Sequence, residues 1–383
     1  MSVGEDNDQT RGQTMAEEQF EIDVLAVGEG EKNGDAIALR FGAPGNYKVM
    51  VYDGGTKNSG NALVDHIRTH YQTERVDYVV NSHPDQDHAS GLSVVLEELE
   101  VGELWMHQPW KYSKEILEYF HDGRITNDSL AERLQDKMAA AYELEQLAEK
   151  KGIKVCEPFA GATIGGYFRV LSPERDWYVH TLIPEFEKSP ELKKSPVSEA
   201  MDGLGTMFKG LVTKALDWID EKWDIETLRE DVSTSAENES SVVLFASIAG
   251  KGVLLTGDSG VRALNATAAY AESQKINLPA QVTFAQVPHH GSRNNVSTTV
   301  LDALFGERRD QADGSRGVAI ASVGRKCETH PRQVVVNAFL RRGFRVLKTK
   351  GAGKWHHINT PSREGWSNCT DYLVFSEKVE AWE

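Results

Sequence analysis

His83-Pro84-Asp85-Gln86-Asp87-His88 follows directly on the apolar run Val76-Asp77-Tyr78-Val79-Val80-Asn81-Ser82 and leads into Ala89-Ser90-Gly91-Leu92. Four potential metal ligands fall within six residues. Two carboxylates and two imidazoles at a strand end are costly to bury unless a cation pairs with them. The stretch therefore reads as a buried strand that delivers its chain to a metal site, and the other segments are judged against it.

Upstream, residues 20–27 alternate as a strand and a glycine-rich turn spans 28–34. Strands at 36–41 and 47–52 pair across 42–46, and the second stops at Asp53-Gly54-Gly55. Residues 62–71 read as a helix. Downstream, a helix is expected from Leu92 to about residue 100, then a strand at 103–107, a helical region at 113–151 broken near Gly123, and strands within 155–173. From about 174 to 237 the sequence is proline-punctuated and then helical, with a helix expected at 201–230. Phe208, Leu211, Leu216, Trp218, Ile219 and Trp223 recur there at roughly helical spacing. That segment reads as an insertion that packs, covers a cleft, or meets a protein partner or a second copy.

Strand character resumes at 241–248 and 252–255, ending at Thr256-Gly257-Asp258-Ser259. A helix at 263–273 and a strand at 281–287 follow, and this strand ends at Pro288-His289-His290-Gly291-Ser292. A helix at 298–305, a strand at 317–323, His330-Pro331, a helix at 333–342 and a strand at 344–347 complete the pattern. Three strands that end in ligand-type residues separate a site from scattered histidines.

The 383 residues suffice for one large core with decorations or for two modest domains. Cys156, Cys327 and Cys369 are too few and too widely spaced for a disulfide framework or a thiolate zinc knot, so a reducing cytoplasm is expected. Residues 1–19 read as a mobile acidic tail without a signal peptide, and no run approaches the roughly 20 apolar residues of a membrane span. The net charge of −16 argues against a protein that coats nucleic acid. Residues 289–363 nevertheless hold 14 Lys/Arg against 5 Asp/Glu, which points to a local phosphate-facing surface or to solvated faces.

His83 to His88, Leu255-Thr256-Gly257-Asp258, Val287-Pro288-His289-His290-Gly291-Ser292, and Ser322-Val323-Gly324 followed by His330-Pro331 resemble the metallo-β-lactamase superfamily. The branch they resemble is typified by the hydrolase domain of the DNA-uptake channel protein ComEC. Val27-Gly28-Glu29-Gly30, Gly34-Asp35-Ala36 and Tyr52-Asp53-Gly54-Gly55 are also similar to that branch. The resemblance covers 20–173 and 237–350 in order. It implies an αββα sandwich of two mixed β-sheets with outer helices, here spanning 20–363 with helical insertions at about 110–151 and 174–237 and a carboxy-terminal extension at 364–383.

It also implies two divalent metal ions at one sheet edge. His83 and Asp85 would serve the first, Asp87 and His88 the second, Asp258 would bridge both, and His290 would complete the second, with His289 as the alternative ligand. Two such ions about 3.5 to 4 Å apart can share a hydroxide and hold the attacking and leaving oxygens of a displacement. Two departures favour oxygen donors: Asp85 stands where the superfamily's commonest signature has His, and 170–174 occupies the place of the familiar third-motif histidine. Harder ligands shift the preference from Zn2+ towards Mn2+.

Asp87, His289 and His330 are the candidate catalytic groups, with His330 as general acid, substrate contact or hydrogen-bond partner of a ligand. Ser292, Arg293 and Arg325 are candidates for holding a phosphate, because each adjoins a strand-end loop. Arg341 and Arg342 read as a solvated helix face. His66, His70, His107, His121, His180, His356 and His357 lie outside the motifs and read as surface or core, with His356-His357 near Trp355 also able to line a cleft mouth. The leading expectation is a metal-dependent phosphodiesterase or nuclease acting on nucleic acid. Alternatives are a hydrolase of small acyl, thioester or lactam substrates, and a partner-gated interaction protein.

Overall fold

The computed structural model describes residues 17–28, 30, 34–192 and 218–382. The first sheet contains β1 (Gln19–Val24), β2 (Ala36–Ala43), β3 (Asn46–Gly54), β4 (Arg75–Val80), β5 (Glu100–Trp105) and β6 (Lys154–Cys156). The second contains β7 (Thr163–Ile164), β8 (Phe168–Ser172), β10 (Val243–Ile248), β11 (Lys251–Leu255), β12 (Val282–Gln286), β13 (Gly317–Ala321) and β14 (Phe344–Lys348). A small strand β9 (Trp218–Asp220) pairs with β16 (Lys378–Glu380), and β15 (Lys354–Ile358) joins the first sheet beside β1.

The two large sheets follow one plan. The first runs β15-β1-β2-β3-β4-β5-β6 and the second β14-β13-β12-β11-β10-β8-β7. In each, antiparallel pairs occupy one side and parallel pairs the other: β3 to β6 are parallel in the first sheet, and β11 to β14 in the second. The carboxyl ends of the parallel strands share an edge, the usual location of a ligand site in a sheet of this kind.

Alternation along the strands builds the layers. In β1, Phe20, Ile22 and Val24 face the other sheet, where they join Ile37, Leu39 and Phe41 of β2 and Leu244, Val253 and Phe284 opposite. Their sequence neighbours face the outer helices. There, Ala38, Val51 and Val79 pack with Leu63, Leu92 and Leu144 on one side, while Leu254, Ala285 and Ala319 pack with Leu264, Val300 and Phe339 on the other. The result is a sandwich of two mixed β-sheets with helices outside both, as the resemblance implied.

The helix Gln86–Glu98 begins six residues before the point expected from sequence. Its first turn therefore carries Asp87 and His88. Gly91 permits a close contact: a Cβ there would lie 1.9 Å from the Gly54 carbonyl oxygen. Only a bare α-carbon lets this helix lie on the end of β3.

Three other expectations are corrected. Gln19, assigned to the tail, already belongs to β1, and residues 1–16 lie outside the described residues. The helix expected at 201–230 is absent from its described part, where β9 and turns occupy 218–230; residues 201–217, with Phe208, Leu211 and Leu216, lie outside the description. Arg341 and Arg342 are fully buried. Arg341 donates to Glu221 at 2.8 Å and to the Lys222, Trp223 and Ile225 carbonyls, and Arg342 pairs with Glu226 and Asp302. These guanidiniums are buried because each meets a carboxylate.

The segment 364–382 is tied into the second half. Glu380 of β16 accepts from the Gln333 backbone N–H at 2.9 Å, capping the helix Gln333–Arg341. His356 lies on β15 against Phe284 and opposite Ile22, within the sandwich.

Candidate metal centre

Five strand ends and one helix start converge on this edge. β3 carries Asp53 next to its last residue, β4 leads through Ser82 to His83, and the helix Gln86–Glu98 supplies Asp87 and His88. β11 leads through Gly257, whose φ is +51°, to Asp258. A Cβ on Gly257 would lie 3.0 Å from Ser82 Oγ, so the Thr-Gly turn brings the two sheets close together. β12 leads to His289 and His290, both left-handed with φ of 44° and 57°. For non-glycine residues this costs about 1–2 kcal/mol each, a strain that is common where side chains are held for function. Gly34 packs on the Asp87 carbonyl and so places Asp35, at the head of β2, beside the cluster.

Asp258 is the centre of the arrangement. Its carboxylate lies 3.9 Å from His83 Nε2, 3.4 Å from His88 Nε2, 3.5 Å from His289 Nδ1 and 3.7 Å from His290 Nε2. Donor atoms from three sets lie within 4.8 Å of one another: Asp53, His83 and His88; Asp87, His88 and His290; Asp35, Asp258 and His290. Asp85 stands at the rim of this group, with Oδ2 3.7 Å from His83 Nε2 and Oδ1 2.5 Å from Lys188 Nζ. His290 is buried, whereas His289 is partly exposed and its Nδ1 meets Asn238 Nδ2 at 2.9 Å.

Asp53 orients two imidazoles at once. One of its oxygens lies 2.9 Å from His88 Nδ1 and accepts from Ser82 Oγ at 2.6 Å, and that hydroxyl is 2.9 Å from His83 Nδ1. The Ser82 N–H donates to the other oxygen at 2.7 Å. Both Nε2 atoms are thereby turned inward, as a carboxylate behind a ligating histidine does. His83 Nε2, His88 Nε2, Asp258 Oδ1, Asp35 Oδ1 and His290 Nδ1 are all buried without a hydrogen-bond partner among the described residues. Buried polar atoms are almost always satisfied, so five orphans in one cluster fit a cation-binding site.

The electrostatics are mixed: burial opposes charge on His88, yet Asp258 and Asp53 outweigh it and hold that imidazole well above its ordinary value. Burial opposes the charge on Asp258, yet His289, His290 and His88 outweigh it and hold the carboxyl well below its ordinary range. Burial, reinforced by Asp258 and Asp53, pushes Asp35 well above that range. Burial also holds His83 down and His290 well down, which keeps those imidazoles neutral and available to a metal.

The outer loops divide. The 324–332 loop is anchored beside the cluster: the Arg332 N–H donates to the Gly291 carbonyl, and the Arg325 and Lys326 N–H groups donate to Gly28 and Gly30. Arg325 is exposed there. His330 is half-buried, with Nδ1 3.0 Å from Thr329 Oγ1. Ser292 Oγ accepts from the Asn294 N–H at 3.3 Å. Arg293 is engaged elsewhere: its guanidinium donates to the Glu380 and Ala381 carbonyls and lies over the Trp382 ring. No imidazole comes from 170–174; Ser172 ends β8 there. Sequence reasoning had assigned no role to Asp35, Asp53, Lys188 or Asn238. Asp35 and Asp53 had stood within the matched motifs, and strand-end position was the signal that could have promoted them.

A family model for the metallo-beta-lactamase superfamily matches residues 33–305. No curated protein matches the sequence. Among solved structures, the metallo-beta-lactamase fold protein YhfI from Bacillus subtilis is 9% identical, covers 89% of this chain and 100% of its own, and gives a TM-score of 0.41. Unliganded yeast PDE1 is 10% identical over 86% of this chain and 97% of its own, with a TM-score of 0.41. The long form RNase Z from yeast is 11% identical over 80% and 38%, with a TM-score of 0.33.

Proposed function

This chain belongs to the metallo-β-lactamase superfamily, and on that premise we propose that it is a metal-dependent phosphodiesterase or nuclease of the ComEC-like branch, acting on nucleic acid or another phosphodiester. The observation that carries the reading is the set of buried, unpartnered donors around Asp258. His83 and Asp85 would hold a first divalent ion, Asp87, His88 and His290 a second, and Asp258 would serve both, with Asp35 as a further oxygen donor beside His290. Two ions held this way supply an activated water and stabilise charge on the reacting phosphate oxygens. The oxygen-rich donor set suits Mn2+ or Zn2+.

The chain's own groups do the rest. Ser292 Oγ accepts from a backbone N–H, which leaves its hydroxyl proton to donate to a phosphate oxygen. Arg325 adds positive charge on the adjoining loop, while Arg293, committed to the carboxy terminus, is withdrawn from the set of phosphate contacts. His330, with Nδ1 engaged by Thr329, would exchange a proton with the leaving oxygen through Nε2.

The test is a matrix of metals against substrates with Asp258→Ala protein as control. The expected result is Mn2+- or Zn2+-dependent cleavage of DNA, RNA or bis(p-nitrophenyl) phosphate that Asp258→Ala abolishes. Full metal loading without turnover of any phosphodiester, together with turnover of thioester or lactam probes, would refute it.

A further inference from the structure

Asp85 differs from the other carboxylates of the cluster in how it is held. Asp53 receives three hydrogen-bond contacts and Asp35 accepts from Gln286 at 2.7 Å, both in full burial. The Asp85 side chain is 34% exposed. Among the described residues its carboxylate has one hydrogen-bond partner, Lys188 Nζ at 2.5 Å. The two oxygens are divided: Oδ1 takes the ammonium, and Oδ2 faces His83 Nε2 at 3.7 Å.

Lys188 is itself held in place. Its N–H donates to Glu237 Oε1 at 3.3 Å, and its carbonyl accepts from Arg133 Nε at 3.1 Å. Arg133 also donates to the next carbonyl, Ser189, whose hydroxyl donates to Ile183 at 2.6 Å. The helix Asn127–Lys137, the loop at 186–190 and the short helix Ala236–Glu239 thus combine to hold one ammonium over one carboxylate.

We propose that Lys188 is a positioning residue for the first-ion half of the site: by holding Oδ1 of Asp85 it aims Oδ2 at the position shared with His83. The proposal rests on the two-ion reading above. The pair is only partly buried, with side chains 28% and 34% exposed, and an ion pair still open to solvent contributes little to stability, so loss of Lys188 should leave the fold largely intact. Partners behind metal ligands act on affinity, typically ~10- to 100-fold. A lysine that merely competed with the ion for Asp85 would act in the opposite direction, and its removal would tighten binding.

The experiment is calorimetric titration of the full chain with Mn2+, for wild type, Lys188→Met, Lys188→Arg, Asp85→Asn and the Lys188→Met/Asp85→Asn double variant. Wild type should take up two ions. Lys188→Met should keep one affinity and lose ~10- to 100-fold in the other, Lys188→Arg should recover most of that loss, and the double variant should be no weaker than Asp85→Asn alone. Normal uptake by wild type with both affinities unchanged or tightened in Lys188→Met overturns the role of Lys188 alone. Absence of uptake by wild type overturns the two-ion reading and this proposal with it.

Discussion

The two sheets bring their polar residues to the same edge but fix them by different means. In the first half, side chains hold side chains: Asp53 governs the rings of His83 and His88, directly and through Ser82. In the second half, the ligands are held mainly through their own backbone groups. The Asn295 side-chain amide donates to the Asp258 backbone carbonyl at 2.8 Å, the His289 N–H donates to Gly257 at 3.1 Å, and the Arg332 N–H donates to Gly291 at 3.0 Å, while His290 Nδ1 has no hydrogen-bond partner among the described residues. The first half should therefore be broken by changing a carboxylate, and the second by changing a glycine. Asp258 belongs to both, since it faces imidazoles from each.

The largest effect is expected where the halves meet. On the proposed function, Asp258→Ala should lower turnover of a phosphodiester substrate by at least about 1000-fold, because several kcal/mol of metal-derived stabilisation would be lost; steady-state kinetics at saturating Mn2+ checks this. Next comes the backbone of the second half. A Cβ on Gly291, at φ +87°, would meet Pro331 at 2.3 Å. Gly291→Val should therefore destabilise the fold by about 3 kcal/mol from crowding and left-handed strain, read from urea unfolding. Asp53→Asn should weaken ion binding ~10- to 100-fold with a smaller effect on unfolding. Equal damage to stability and binding would remove the distinction between the halves.

The smallest effect is a pH dependence that His107 contributes in the first half. His107, just past β5, is stacked on Tyr178 at 4.2 Å, and burial pushes its imidazole down to about 3. The unfolded chain binds a proton there below its ordinary value near 6.5, and the folded chain does not. Stability is thus fully present above that value and is lost as pH falls, by about 2 kcal/mol at pH 5. His107→Phe should remove this difference between pH 7.5 and 5 in urea midpoints; an unchanged pH dependence would contradict it.

What was legible in the sequence follows the same division. His83 to His88 is contiguous, and Asp258 and His290 each follow a strand, so local pattern disclosed them. Asp53 stands before two glycines at a strand end, within a matched motif, but a lone carboxylate there carries no sign of the two imidazoles it orients. The partner of Asp85, Lys188, lies 103 residues away in sequence with no periodicity to mark it. Arg341 and Arg342 were misjudged for the same reason: Glu221 and Glu226, which bury them, lie 120 and 116 residues away. A charged residue is mostly exposed unless paired, and composition cannot show a pairing that only the fold makes. The basic excess at 289–363 is thus partly spent inside the second half and is a weaker guide to substrate than it looked.

The claim on which the rest depends is that the two halves share a pair of cations. Equilibrium titration of the purified chain with Mn2+ and Zn2+ tests it directly, with bound metal counted by elemental analysis. Two ions per wild-type chain, with weakened binding in Asp53→Asn and loss of at least one ion in Asp258→Ala, is the predicted result. Fewer than one ion per chain, or two ions retained in Asp258→Ala, would contradict it.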